Sequence, residues 1–166
     1  LSTSQTNFED VASGAVLDIV GNGTLTNGAT TIDYVSAATS ATVNFKDGTV
    51  GTGAVTVDGS KITSETINST GKANSTGAYT VSDAATSLTI NATSNLTFGD
   101  INSDVITKLT VTGAGNVNTG TAAGTALATV DASASTGKFT FVSGTYANTA
   151  SQDKTSSSVH YADLVI

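Results

Sequence analysis

A chain of 166 residues with net charge −7 and only 11% charged side chains has no basic patch with which to neutralise phosphates or to hold an anionic membrane surface. Its six lysines (Lys46, Lys61, Lys72, Lys108, Lys138 and Lys154) stand singly. The absence of Cys excludes disulfides and thiolate metal sites, and no apolar run is long enough for a membrane-spanning helix.

Hydrophobic residues make up 38% of the chain, most of them Ala and Val, and aromatics only 5%. Burial of such small groups yields little per residue, at roughly 25 cal/mol per Å² of apolar area. Cohesion is therefore expected from a dense backbone ladder, from regular stacking, or from neighbouring copies. Thr accounts for about a fifth of the sequence and helix formers are scarce. Stiff, β-branched side chains suit a pleated sheet, so the class is all-β. The joint absence of Cys, Met, Trp and Pro matches secreted bacterial and archaeal surface proteins. No signal peptide remains, and any leader is expected to have been removed before Leu1.

In chain order, the N-terminal half offers strands over Ala15 to Val20, Thr31 to Val35, Ala41 to Phe45, Ala54 to Val57 and Lys61 to Ile67. Gly21-Asn22-Gly23, Asn27-Gly28, Asp47-Gly48 and Asp58-Gly59 separate them. Asn-Gly and Asp-Gly pairs are hairpin punctuation, which predicts an antiparallel β-sandwich or meander here. Ser69 to Gly77 reads as an exposed loop or linker. The whole of 1–166 is expected to form one β domain, with a possible division into an N-terminal unit, 1–70, and a C-terminal repeat unit, 78–166.

An internal repeat follows. LDIVGNGTL (Leu17 to Leu25), LTINATSNL (Leu88 to Leu96) and LTVTGAGNV (Leu109 to Val117) share apolar residues at positions one, three and nine. Positions five and seven are small: Gly21 and Gly23, Ala92 and Ser94, Gly113 and Gly115. A degenerate fourth copy begins at Val130, with Ala132, Ala134, Phe139 and Phe141. Period-two alternation buries one strand face, and a recurrence near 20 residues is what one coil of a β-solenoid needs. Stacked coils then share one continuous core. The C-terminal half is therefore expected to be solenoid-like; an antiparallel sandwich is the alternative.

The stretch LTVTGAGNVNTGTAAGTALATVDASASTGKFTF (Leu109 to Phe141) resembles the repeats of bacterial surface-layer proteins and large RTX-type adhesins. The likeness covers about a third of the chain, reaching back to Leu88. It implies a secreted lattice or adhesive stalk, often with bound calcium. The calcium nonapeptide GGxGxDxUx is missing, so calcium does not carry over from that motif.

Asp100, Asn102 and Asp104 place side-chain oxygens at alternate positions, as calcium loops do, and form the candidate calcium site. Val105 and Val111 stand where a full EF-type loop needs Gly and a carboxylate, and the alternative is a polar turn between coils. Five glycosylation sequons occur, at Asn22, Asn68, Asn74, Asn91 and Asn95. About four would arise by chance in a chain so rich in Ser and Thr, so glycosylation is permitted rather than indicated. A single His160, with no G-x-S-x-G elbow, offers no nucleophilic triad. The two glutamates, Glu9 and Glu65, are the thin basis for a polysaccharide-degrading solenoid. The chain is accordingly read as no enzyme.

Low charge and absent Pro leave strand edges open to pairing with other chains. The apolar C-terminus, Tyr161 to Ile166, is expected to close its own sheet; alternatively it, or Leu1 to Val11, donates a strand to a neighbour. The expectation is an extracellular, cell-surface structural protein that self-assembles as a homo-polymer into a surface layer or filament. The alternative is a cell-surface adhesin that binds a glycan.

Overall fold

The computed structural model describes residues 4–23, 26–123, 126–143, 151–152 and 163–165. It is all-β and winds as a parallel β-solenoid of about six turns. Each of the first four coils carries three strands. The first holds β1 (Thr6–Val11), β2 (Val16–Val20) and β3 (Thr26–Asn27). The second holds β4 (Thr30–Tyr34), β5 (Ser40–Lys46) and β6 (Val50–Gly51). The third holds β7 (Val55–Asp58), β8 (Ser64–Thr70) and β9 (Asn74–Thr76). The fourth holds β10 (Tyr79–Thr80), β11 (Ser87–Ala92) and β12 (Leu96–Phe98). Then come β13 (Asp100–Asn102), β14 (Lys108–Gly113), β15 (Val117–Ala123), β16 (Thr129–Ser135), β17 (Phe139–Ser143), β18 (Ser151–Gln152) and β19 (Asp163–Val165).

The middle strands stack into one seven-stranded parallel sheet, β2-β5-β8-β11-β14-β16-β18. First and third strands form two further ladders, β1-β4-β7-β10-β13 and β3-β6-β9-β12, which meet at β15. In β15, Val117 continues the ladder from Leu96 while Thr121 to Ala123 continue the one from Asp100 to Asn102. Gly120 joins the two halves with φ 60°.

Inward columns explain the core. Val43, Ile67, Ile90 and Val111 lie in register through the middle sheet, with Leu17 at the head. Leu88 stacks on Leu109, and Leu96 on Val117, as the repeat requires. These side chains are buried. Phe98 bridges coils, meeting Phe45 edge-on at 6.4 Å and Tyr79 at 6.0 Å. A corner in each of the second to fifth coils adds one more inward apolar group: Ala38, Ile62, Ala85 and Ile106. In the first three of these corners a tight turn sets the group, with Ala38, Ile62 and Ala85 donating to the carbonyls of Val35, Gly59 and Ser82. At Ile106 the side chain of Ser103 accepts instead.

The solenoid is not confined to the C-terminal half. The N-terminal half, expected as a sandwich or meander, follows the same winding, and every pairing in it is parallel. The dipeptides read as hairpin turns are corners. Asp47 and Gly48 take φ 58° and 83°, yet β5 and β6 on either side pair with different neighbours. Two left-handed residues here swing the chain onto the next face instead of back along its own strand. Ser69 to Gly77 is no linker either, since it contains the end of β8 and all of β9, with Ser69, Asn74 and Thr76 buried.

Both terminal segments pair within the chain: β1 lies on β4, and Asp163–Val165 add a parallel strand to β17. Asp163–Val165 of the C-terminal tail thus extend the chain's own sheet.

Candidate functional site

The most ordered feature of the surface is the outer face of the middle sheet. Alternate residues of its strands point outward and form columns in register: Ser40, Ser64, Ser87 and Lys108; Thr42, Thr66, Thr89 and Thr110; Asn44, Asn68, Asn91 and Thr112. Neighbouring strands of a sheet lie roughly 4.8 Å apart, so each column is a row of like groups at that spacing. The third column is bonded along its length. Asn44 Nδ2 donates to Asp18 Oδ1 (2.6 Å), Asn68 to Asn44 (2.7 Å), Asn91 to Asn68 (3.0 Å) and Thr112 to Asn91 (2.7 Å). At its head, Lys46 Nζ pairs with Asp18 Oδ2 at 2.6 Å. The hydrogen bonds from Lys46 and Asn44 hold the Asp18 carboxyl below its ordinary range. Side chains tied in this way have already given up their rotamer freedom, so contacts made on this face cost less ordering.

Among the described residues, the two largest polar side chains that are buried, Asn74 and Glu65, both lie in the third coil. Asn74 occupies the place that Leu96 takes one coil later. Its Oδ1 accepts from the Gly48 and Thr49 amides (3.0 and 2.9 Å) and from Thr49 Oγ1 (2.8 Å). Its Nδ2 donates to Phe45 O, Ser69 Oγ and Thr70 O. One side chain therefore satisfies the corner backbone of two coils. Glu65 sits in the column of Ala41, Leu88 and Leu109 and is 1% exposed. Its carboxylate accepts from Tyr79 Oη (3.0 Å) and the Ser82 amide (2.6 Å). Burial pushes its pKa up to about 7, against the lowering effect of those two donors.

The residues singled out from sequence scatter over the fold. Asp100 and Asn102 lie on the same side of β13, flanking the buried Ile101, while Asp104 is exposed on the turn that follows. The Asp100 carboxylate accepts the Thr121 amide of the next coil (3.0 Å). An extended strand spreads these oxygens in a line, where a calcium loop would curl them around one point. Of the five sequons, Asn74 is enclosed, and Asn68 and Asn91 spend their amides in the outer column. Asn22 and Asn95 are exposed at corners, and Asn95 Oδ1 accepts the Asn116 amide (2.9 Å). Glu9 is exposed on β1, whereas Glu65 is enclosed in the core, so the two glutamates do not share an open cleft. His160 lies outside the described residues.

The outer columns were hidden in the sequence because Thr and Asn are frequent everywhere. The S-x-T-x-N spacing of Ser40-Thr42-Asn44, Ser64-Thr66-Asn68 and Ser87-Thr89-Asn91 is the signal that would have exposed them.

The class that this geometry defines is the parallel β-solenoid with a laddered hydroxyl and amide face. No protein-family model, curated protein or solved structure matches the chain.

Proposed function

We propose that this chain is a structural module of an extracellular, cell-surface assembly, self-associating as a subunit of a surface layer or filament and doing no chemistry on a substrate. The observation that carries this reading is the outer face of the middle sheet, where in-register Ser, Thr and Asn columns run from coil to coil. That face is nearly uncharged and its amide column is held in place by its own hydrogen bonds. Copies that meet through it lose little side-chain entropy and meet little like-charge repulsion. The resemblance of Leu109 to Phe141 to surface-layer and RTX-type repeats supports the same reading. Calcium enters it as a counter-ion for a chain of net charge −7.

Negative-stain microscopy of the purified chain, with calcium and with chelator, tests the reading. Regular arrays or filaments are the expected result. Monodisperse single particles at high concentration under both conditions would remove the proposal.

A further inference from the structure

Glu65 raises a question that an assembly role does not answer. A carboxylate in the middle of an aliphatic column is stable as an anion only if a cation or several donors meet it. Here the residues in register with it are Ala41 and Leu88, both apolar. The only ion pair among the described residues, Lys46 with Asp18, lies elsewhere. The groups that face Glu65 from the packed elements are acidic or phenolic. Tyr79 of β10 donates to it, Asp58 of β7 acts on it through its charge, and the Glu65 charge in turn raises the phenol of Tyr34 on β4. Asp33 of β4 and Asp83 of the following corner act in turn on Asp58. Every charge near this carboxyl therefore opposes its ionisation.

We propose that Glu65 is a proton-operated latch on the third coil, closed when the carboxyl is neutral and loosened when it ionises. In the closed form Glu65 Oε1 takes the Ser82 amide, and the proton on Oε2 lies in the hydrogen bond that Oε2 shares with the Tyr79 hydroxyl. These bonds tie β8 to the corner at Ser82, which is itself fastened by Ser82 Oγ to Gly59 O (2.8 Å) and by the Ala85 amide to Ser82 O (3.0 Å). Loss of the proton leaves an anion enclosed by Ala41, Leu88 and the aromatic Tyr79. Water reaches it only if the corner from Ser82 to Ala85 swings open.

The sign follows from linkage. A carboxyl that holds its proton more tightly in the folded chain contributes stability that is complete below its ordinary value of 4.5. That contribution falls as pH rises from there to about 7. A shift of that size corresponds to roughly a 300-fold fall in the folded-to-unfolded ratio.

The test is a carboxyl-carbon NMR titration of the intact 166-residue chain, with urea unfolding between pH 5 and 8. Glu65 is expected to titrate with a midpoint near 7. The chain should lose stability across this range, and Glu65→Gln, whose Oε1 can take the Ser82 amide while its Nε2 donates to the Tyr79 oxygen, should flatten the loss because it carries no charge. A midpoint at the ordinary carboxyl value, or a Glu65→Gln chain as pH-sensitive as the parent, overturns the latch. Should Glu65→Gln not fold, the titration of the parent decides alone. Amide exchange at Ser82 and Ala85, corrected for intrinsic rate, locates the effect: faster exchange confined to this corner at pH 8 is expected, and uniform exchange over all coils counts against it.

Discussion

The early and late coils of the solenoid differ in how they close. In the first four, glycine-bearing corners separate the third strand from the first strand of the next coil. In the fifth, that corner has vanished into β15, bent only at Gly120. Hydrogen-bonded partners in the outer column measure the change, standing 26 residues apart between Asp18 and Asn44, then 24, 23 and 21 by Asn91 and Thr112. A second difference is chemical. The third coil keeps Glu65 and Asn74 inside, where the next coils have Leu88 and Leu96. In the third coil Asn74 holds the corner backbone at Gly48 and Thr49, whereas in the next coils aliphatics stand in its place and in that of Glu65.

This contrast can be broken in several places. The largest effect is expected at Asn74→Leu, which gives the third coil the later coils' residue but strands the Gly48 and Thr49 amides and takes a donor from the Phe45 carbonyl. A loss of about 4 kcal/mol in urea unfolding is expected. A near-neutral change would show that the corner needs no side-chain partner.

Next comes Gly120→Ala, where a methyl group would meet the Gly99 carbonyl in a residue already at positive φ. About 3 kcal/mol is expected, against about 1 kcal/mol for Gly14→Ala, which shares the positive φ but has open space around it. Equal losses at the two sites would mean that close coil contact at β15 matters little.

Asn68→Ala interrupts the outer column between coils and should cost about 1 kcal/mol, a small figure because solvent replaces part of the lost bonding. Lys46→Ala should cost less than about 1 kcal/mol and fade with added salt, since the pair with Asp18 is partly exposed. The Asp18 carboxyl lies below its ordinary 3.8, so this contribution is present above that value and is lost as pH falls through the lowered one. Acid thus weakens the head of the outer column while favouring the neutral form of Glu65, and unfolding curves at low salt should show the two limbs separately.

The alternation of Leu88, Ile90 and Leu96 with Leu109, Val111 and Val117 was legible and maps directly onto stacked columns. Four of the five N-terminal strands were also placed within a residue or so; the fifth is β8, which starts at Ser64, because Lys61 belongs to the turn that buries Ile62. The match at Leu17 was right about the face and wrong about the phase. Leu17 stacks through Val43 and Ile67 on Ile90, two residues along from Leu88. Period-two alternation cannot detect a slip of two, since the same face remains buried. The second and third coils went unseen because Ala41, Glu65 and Asn74 stand in inward positions where the later copies have Leu or Val. For the same reason, neither the inward Asn74 nor Glu65 could be distinguished by composition from a residue at a turn.

The circuit shortens from 26 residues at the head to 21 at Thr112 and returns to 22 and 23 in the last pairings. Coils of unequal length leave the stack with two unlike ends and so with a sense. Neighbours laid side by side in the same sense would bring like ends together, whereas neighbours alternating in sense would set each head beside a tail.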